Sequence, residues 1–228
     1  MEWNNKYIYP KSTRALLNGS RHYSVNEENL PSVTTILKAT ESEEKKAKLA
    51  EWKQRVGHKQ AEIISREATT RGSSMHDYLE KFLLGKLNLD LLGDNTRERM
   101  MADQIIENGL RNKLDEIWGC EATLYYPGKY AGAADCIGVY ENKETIIDFK
   151  QSNKPKKDEW IEDYYLQCAA YSLAHNVVYG SNITQAVILL CTKDNVFQRF
   201  IVDGVRLKGY QNKFLEKVEQ FYAQRRAS

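Results

Sequence analysis

Asp135 and the triplet Asp148-Phe149-Lys150 are the residues of this chain best suited to chemistry. Two carboxylates about 5 Å apart, at an effective dielectric near 20, repel by roughly 3 kcal/mol. A hard divalent cation removes that repulsion, and oxygen donors suit Mg²⁺ or Mn²⁺. A lysine beside such a cation can orient or activate a water and stabilise charge on a phosphoryl oxygen. The bland alternative is a structural Asp–Lys pair across two strands on a solvated face.

That chemistry requires the three side chains to share a face. Apolar runs flank the turn Glu141-Asn142-Lys143-Glu144, which reads as a β-hairpin. With Asn142 and Lys143 as a two-residue loop, Glu141 faces Glu144, Ile137 faces Asp148 and Asp135 faces Lys150. Asp135, Asp148 and Lys150 then project together, while Ile147 and Phe149 point into a core. A one-residue bulge would break this parity.

The remaining elements must bring partners to that face. A helix is expected over residues 158–179, closed by Gly180, with a stripe of Trp160, Tyr164, Gln167, Tyr171 and Val178. Gln167 and Tyr171 lie one turn apart and point the same way. They either line a cleft beside Lys150 or belong to the core. Upstream, a break is expected at Thr69-Thr70-Arg71-Gly72. Ser73 or Ser74 then caps the helix SSMHDYLEKFLLG, which ends near Gly85. Met75, Leu79, Phe82 and Leu83 form its apolar stripe, with His76 and Glu80 four apart on a neighbouring face. A lone helical histidine is usually structural. Here a neutral imidazole could complete a carboxylate metal site, with a carboxylate such as Glu80 orienting it.

LPSVTTILKAT, residues 30–40, reads as a helix capped by Ser32. Its free N–H groups, with Thr34 and Thr35, could hold a phosphate, or it is an ordinary capped helix. Residues 7–25 read as a small hairpin turning at Asn18-Gly19-Ser20. Residues 43–68 are a charged helical stretch with Trp52, Val56, Ile63 and Ile64 inward and Gly57 as a potential break. Its Lys45, Lys46, Lys48, Lys53 and Arg55 follow a nucleic-acid backbone or are simply solvated. Residues 86–98 read as a polar connection and 99–115 as a further helix. Strands are expected near 117–126, 131–140 and 144–151, then at TQAVILLCT and VFQRFIV, with a last helix from about residue 206.

The order α-β-β-β-α-β predicts an α/β fold, with a central mixed sheet flanked by helices. One domain is expected. Residues 1–68 form an N-terminal hairpin and helical extension over the cleft, 69–205 the core and 206–228 a C-terminal helix.

The ordered set Asp135, Asp148-Phe149-Lys150 and Gln167-x-x-x-Tyr171 resembles the PD-(D/E)XK nuclease superfamily, in the branch related to bacterial recombination nucleases. LPSVTTIL, Trp52 with Arg55-Val56-Gly57, RGSSMHDYLE, KYAGAADCIG, IIDFKQSNKPKK and YYLQCAAYSLAH resemble the mitochondrial genome maintenance exonuclease family and its phage relatives, over roughly residues 23–175. The resemblance implies a restriction-endonuclease-like core and a metal-dependent DNA exonuclease preferring single strands with a free end. It implies His76, Asp135, Asp148 and the Phe149 carbonyl as metal ligands, and Lys150 as the catalytic lysine, with Gln167 and Tyr171 beside it. Ser32, Thr34 and Arg71 become strand contacts, and Thr35, Trp52, Arg55 and Lys154 are expected along the same path. Glu80 and Glu121 are carboxylates standing behind the ligands, although Glu121 could equally be a surface residue. The alternatives are a structure-selective endonuclease of the same superfamily and a catalytically silent DNA-binding protein.

Composition sets the outer bounds. The charged fraction of 28% and hydrophobic fraction of 42% describe a globular chain, and the net charge of +2 does not by itself argue for nucleic acid. Lys150, Lys154, Lys156 and Lys157 cluster locally, as a strand contact or a solvated loop. Cys120, Cys136, Cys168 and Cys191 form no C-x-x-C pair, so reduced thiols and no iron–sulfur cluster are expected. No apolar run is long enough for a membrane span, and the N-terminus shows no secretory or transit pattern. The expectation is a cytoplasmic monomer from a bacterium or a phage-infected cell.

Overall fold

The computed structural model describes residues 1–17, 19–87 and 96–227. Asn18 of the expected first turn, and most of the expected 86–98 connection, lie outside the described residues. Two sheets are present. The larger has the order β1-β5-β6-β7-β8-β9, built from Glu2–Trp3, Leu114–Tyr126, Tyr130–Tyr140, Lys143–Ser152, Gln185–Thr192 and Phe197–Asp203. The smaller joins β2 (Thr13–Leu17), β3 (Ser20–Val25) and β4 (Glu28–Pro31). The helices are α1 (Val33–Ala39), α2 (Glu43–Val56), α3 (His58–Leu83), α4 (Arg97–Ile105), α5 (Glu162–Tyr179) and α6 (Gly204–Ala227).

Every residue of β8 is buried. Its continuous apolar run, QAVILLCT, suits a strand covered by helices on both faces. β7 and β8 are parallel and joined through α5, as a parallel pair requires a crossover. Alternation along β7 divides the core. Ile146 joins the layer under α1, α5 and α6, with Ile188, Tyr165 and Phe214. Ile147 and Phe149 join the layer under α3 and α4, with Met75, Leu79, Met101 and Leu189. The small sheet closes on β6 through Tyr23, Val25 and Leu30 against Ala131. The mixed sheet between helical layers is the architecture that the sequence resemblance implied.

Several elements differ from expectation. Glu141 and Asn142, not Asn142 and Lys143, form the hairpin loop, both with left-handed backbones at φ 48° and 64°. That is the conformation a two-residue hairpin turn needs, and asparagine tolerates it well. Tyr140 therefore pairs with Lys143, and Cys136 with Ile147. Continuing this register, Asp135 comes opposite Asp148 rather than Lys150. The slip is by an even count, so the three side chains still share a face.

The expected break at Thr69–Gly72 is absent, and α3 runs through it without interruption. Hydroxyls there bond within the helix, Ser65 to the Ala61 carbonyl and Thr69 to the Ser65 carbonyl. Gly72 serves a close approach instead: a Cβ there would meet Gln151 Cγ of β7 at 3.3 Å. The boundary expected at residues 68 and 69 thus falls inside one helix. α5 starts at Glu162, so Trp160 sits in a short 3₁₀ turn, 60% exposed, with the Lys157 ammonium 5.2 Å from its ring centre. The helix expected to reach residue 115 ends as α4 plus a π-turn over Ile106–Leu110, and β5 begins at Leu114. β1 and β4 were not foreseen. Each is four residues or fewer, too short to show a period.

Candidate active site

β6 and β7 pair as far as Cys136–Ile147 and no further among the described residues. Beyond that point side chains take over the ladder's hydrogen bonds. The Phe149 N–H donates to Asp135 Oδ2 at 2.7 Å. The Phe149 carbonyl accepts from His76 Nε2 at 2.9 Å. A carbonyl cannot donate, so Nε2 carries the proton, and in the neutral ring Nδ1 presents a lone pair. Nδ1 lies 3.6 Å from Asp135 Oδ1. His76 reaches this point from α3, on the far side of the sheet, because the strands have parted.

Asp148 lies beneath, its side chain 2% exposed, with Lys150 Nζ 2.5 Å from Oδ2. Beyond that ammonium, neither carboxylate oxygen meets a hydrogen-bond donor among the described residues. Burial pushes the Asp148 carboxyl up, with the Asp135 charge adding and Lys150 opposing. Burial alone would lower Lys150, yet the Asp148 and Asp135 carboxylates outweigh it and hold the ammonium protonated. The Tyr164 ring lies 5.2 Å from Nζ and leaves the cation on an aromatic face.

A cavity of about 330 Å³ opens above these groups. Of the residues expected at the site, Ser32, Thr34, His76, Glu121, Asp135, Lys150, Gln167 and Tyr171 line it. One ligand atom from each of His76, Glu121 and Asp135 falls within 4.8 Å of the others. Glu121 occupies a left-handed backbone position at φ 48°, beside an irregular stretch of β5. Partial desolvation, then the Asp135 and Glu80 carboxylates, raise it to about 7, against His76 and Arg14. Glu80 lines an adjoining cavity with Glu121, Arg14 and Tyr23. Gln167 Nε2 donates to the Tyr171 hydroxyl at 3.3 Å, and burial keeps that phenol protonated.

Other expected contacts stand elsewhere. Arg71 is buried, donating to Gln151 at 3.0 Å and to Asn153, so it braces the end of β7. The Ser32 hydroxyl, which lines the site cavity, also accepts from the Thr35 amide as the N-cap of α1. Thr35 lies over a neighbouring cavity. Lys154 is exposed just after β7, Arg55 is exposed and Trp52 is half-buried on α2, and none of the three lines the site cavity. Among the lining residues that were not anticipated are Arg14, Arg21 and Tyr23. The expected hairpin contained the signal. In the paired strands Arg14 opposes Tyr23 and Leu16 opposes Arg21. All four therefore share one face, which roofs the cavity.

The wall between β6 and α5 leaves no spare room. A Cβ on Gly132 would stand 2.7 Å from Tyr171 Cε1 and 2.9 Å from its hydroxyl. Gly132→Ala is expected to displace the Tyr171 ring, lowering stability by about 1–3 kcal/mol as overpacking does. Pairing it with Tyr171→Leu should restore much of the melting temperature. A single variant that melts with the wild type would refute this packing.

Fold and site together define a class: a mixed α/β domain with an Asp–Asp–Lys cluster where two central strands part and a helical histidine facing it. No family model matches the chain. It is similar to Mitochondrial genome maintenance exonuclease 1 of Xenopus tropicalis, 28% identical over 206 residues, 84% of this chain and 57% of the relative. The Homo sapiens and Mus musculus proteins of that name are 26% and 28% identical, over 84% and 85% of this chain and 58% and 59% of theirs. The chain thus spans less than three-fifths of the length of these curated relatives. Among solved structures, a putative exonuclease from Eubacterium rectale overlies 68% of the chain and 65% of its own, with TM-score 0.44 and 14% identity. No helix among the described residues is long and apolar enough to cross a membrane.

Proposed function

We propose that this chain is a metal-dependent DNA exonuclease acting on single strands from a free end. One observation carries the reading. A fully buried carboxylate, Asp148, has no hydrogen-bond donor beyond the Lys150 ammonium among the described residues, and it lies near Asp135 and His76. An unsatisfied buried charge is costly unless a partner is added. The donor set fits a hard divalent ion. His76 Nδ1 and Asp135 Oδ1 are two acceptors facing each other at 3.6 Å, with further carboxylate oxygens at hand. His76, Asp135 and Asp148 would hold Mg²⁺ or Mn²⁺, with the Phe149 carbonyl beside them. When bound, the ion neutralises the carboxylates and draws charge from a phosphoryl oxygen.

The chain's own groups supply the rest. Lys150, kept cationic by two aspartates, can donate to a water or to a phosphoryl oxygen. Gln167 and Tyr171 offer an amide and a protonated hydroxyl on the same wall. Arg14 and Arg21 place positive charge over the cavity and attract a polyanion. The small β2-β3-β4 sheet covers the cavity and favours a thread over a duplex.

The decisive assay compares linear and circular single strands of matched sequence and a blunt duplex, with Mg²⁺ or Mn²⁺ at fixed salt. Linear strands are expected to shorten to small products while the circle and duplex survive, and EDTA should stop the reaction. Rapid nicking of the circle would replace the exonuclease with the endonuclease alternative, and no cleavage of any substrate would leave a binding protein.

A further inference from the structure

A second, larger cavity of about 730 Å³ adjoins the site. Its walls are Leu16, Gly19, Ser20 and Arg21 of the hairpin, Thr34, Thr35 and Lys38 of α1, Lys46 of α2, and Phe221, Gln224 and Arg225 of α6. Arg21 and Thr34 line both cavities, so the two share a wall.

The chemistry of this wall is one-sided. Arg21, Lys38, Lys46 and Arg225 contribute four cations, and none of the lining residues is acidic. Lysines plus arginines number 33 in the chain and acids 31, so the bias belongs to this place and not to overall composition. Among the described residues, the Arg21 and Lys38 side chains meet no carboxylate in an ion pair. Lys46 is held by Glu43, 2.8 Å away on its own helix, in an exposed pair. Such a pair is weak and yields readily to a polyanion. Apolar surface is present as well. Leu16 is 74% exposed on the hairpin face, and Phe221 lies at the floor with the Arg225 guanidinium 4.8 Å from its ring centre.

A wall that combines cations, hydroxyls and an apolar flank suits the phosphates and bases of an unpaired strand. We infer that this cavity is a subsite for the phosphate backbone of single-stranded nucleic acid, holding the part of the strand that leads to or from the Asp–Lys site. The inference rests on the nuclease reading for its direction, and on the wall shared by the two cavities for its path. Arg21 is the hinge of that path, since it alone among the cations faces both cavities. Lys38 and Lys46 then act purely on the strand.

The test is binding, measured in EDTA so that no cleavage intervenes. Fluorescence anisotropy follows labelled oligothymidylates from a few to about twenty nucleotides, at several salt concentrations. Wild-type affinity is expected to rise with length and then level off. Lys38→Gln/Lys46→Gln should weaken the long strands by about tenfold and flatten the salt dependence, by about 0.7 of slope for each lost phosphate contact. The shortest strands should bind as before, and Lys38→Arg/Lys46→Arg should restore the long ones. Both positions are exposed, so melting temperatures should match and an affinity loss is not a folding loss. An unchanged length profile and slope in the glutamine variant overturns the subsite, while cleavage by the wild type leaves the nuclease reading standing. The converse, lysine-dependent binding with no cleavage by the wild type, keeps the subsite and removes the nuclease. Equal competition by a blunt duplex would overturn the single-strand assignment.

Discussion

Lys150→Ala is expected to lower cleavage by about 10²–10³-fold, the usual loss when one well-placed donor is removed from a preorganised site. Binding of single strands in EDTA should change by less than about tenfold, because the proposed strand subsite draws on Arg21, Lys38 and Lys46. The Lys150 side chain is only 18% exposed, and its ammonium stands 2.5 Å from a carboxylate that has no other donor. Removing one member of a buried pair ordinarily costs about 3–5 kcal/mol, because the other charge is left behind. Here Asp148 has an escape: its carboxyl is already pushed up by burial and can take a proton. The stability loss should therefore be smaller than for a fixed charge, and larger at pH 8 than at pH 5. Lys150→Met keeps the stem's packing and isolates the charge. Single-turnover rates per folded molecule, beside thermal melts, separate the two effects. Turnover by the methionine variant within threefold of wild type would remove Lys150 from the reaction.

Asp148→Asn is the second large effect, and its two halves have opposite signs. Activity should fall by at least two orders of magnitude, through loss of a cation ligand. Stability without metal should rise at neutral pH. Burial raises the Asp148 carboxyl to about 6, from 3.8. A raised value means that the folded state holds the proton more tightly. The associated stability is present below the unfolded value and is lost as pH climbs through about 6. At pH 8 the ionised wild-type carboxylate thus lowers stability relative to its protonated form. The amide carries no such charge. The variant should melt above wild type at pH 8 in EDTA. The gap should close toward pH 4. Added Mg²⁺ should raise the wild type and leave the variant in place. A variant melting below wild type in EDTA at pH 8 would contradict the account of Asp148 as a buried charge that Lys150 does not fully compensate.

The face shared by Asp135, Asp148 and Lys150 was legible because strand parity survives an even slip in register. The identity of the turn was not, because Glu141 and Asn142 are no better marked by composition than Asn142 and Lys143. The choice was made by left-handed backbones at both loop positions. Gly72 was misread as a helix breaker for a related reason. A glycine on a helix signals a break or a close neighbour, and only the neighbour, Gln151 of β7, decides. The expected start of α5 put Trp160 on an inward stripe that begins two residues later. The roof residues Arg14, Arg21 and Tyr23 were missed although their hairpin was seen. Their shared face could have been read from the turn. What that face would cover depended on the docking of the small sheet on Ala131, which no local pattern encodes.

The side chains that finish the β6–β7 ladder have a further consequence. The Phe149 amide is shielded from solvent hydrogen by a carboxylate oxygen of Asp135, and not by a neighbouring strand. Phe149 is buried, so its isotope exchange requires both that this bond open and that water reach the amide. Most interior amides of a sheet report the opening of a strand-to-strand ladder. This one is expected to respond in addition to the engagement of a single side chain. The central strand thus carries a clock inside the site, readable by deuterium exchange with no substrate and no turnover. It ticks faster whenever Asp135 is drawn away from the backbone.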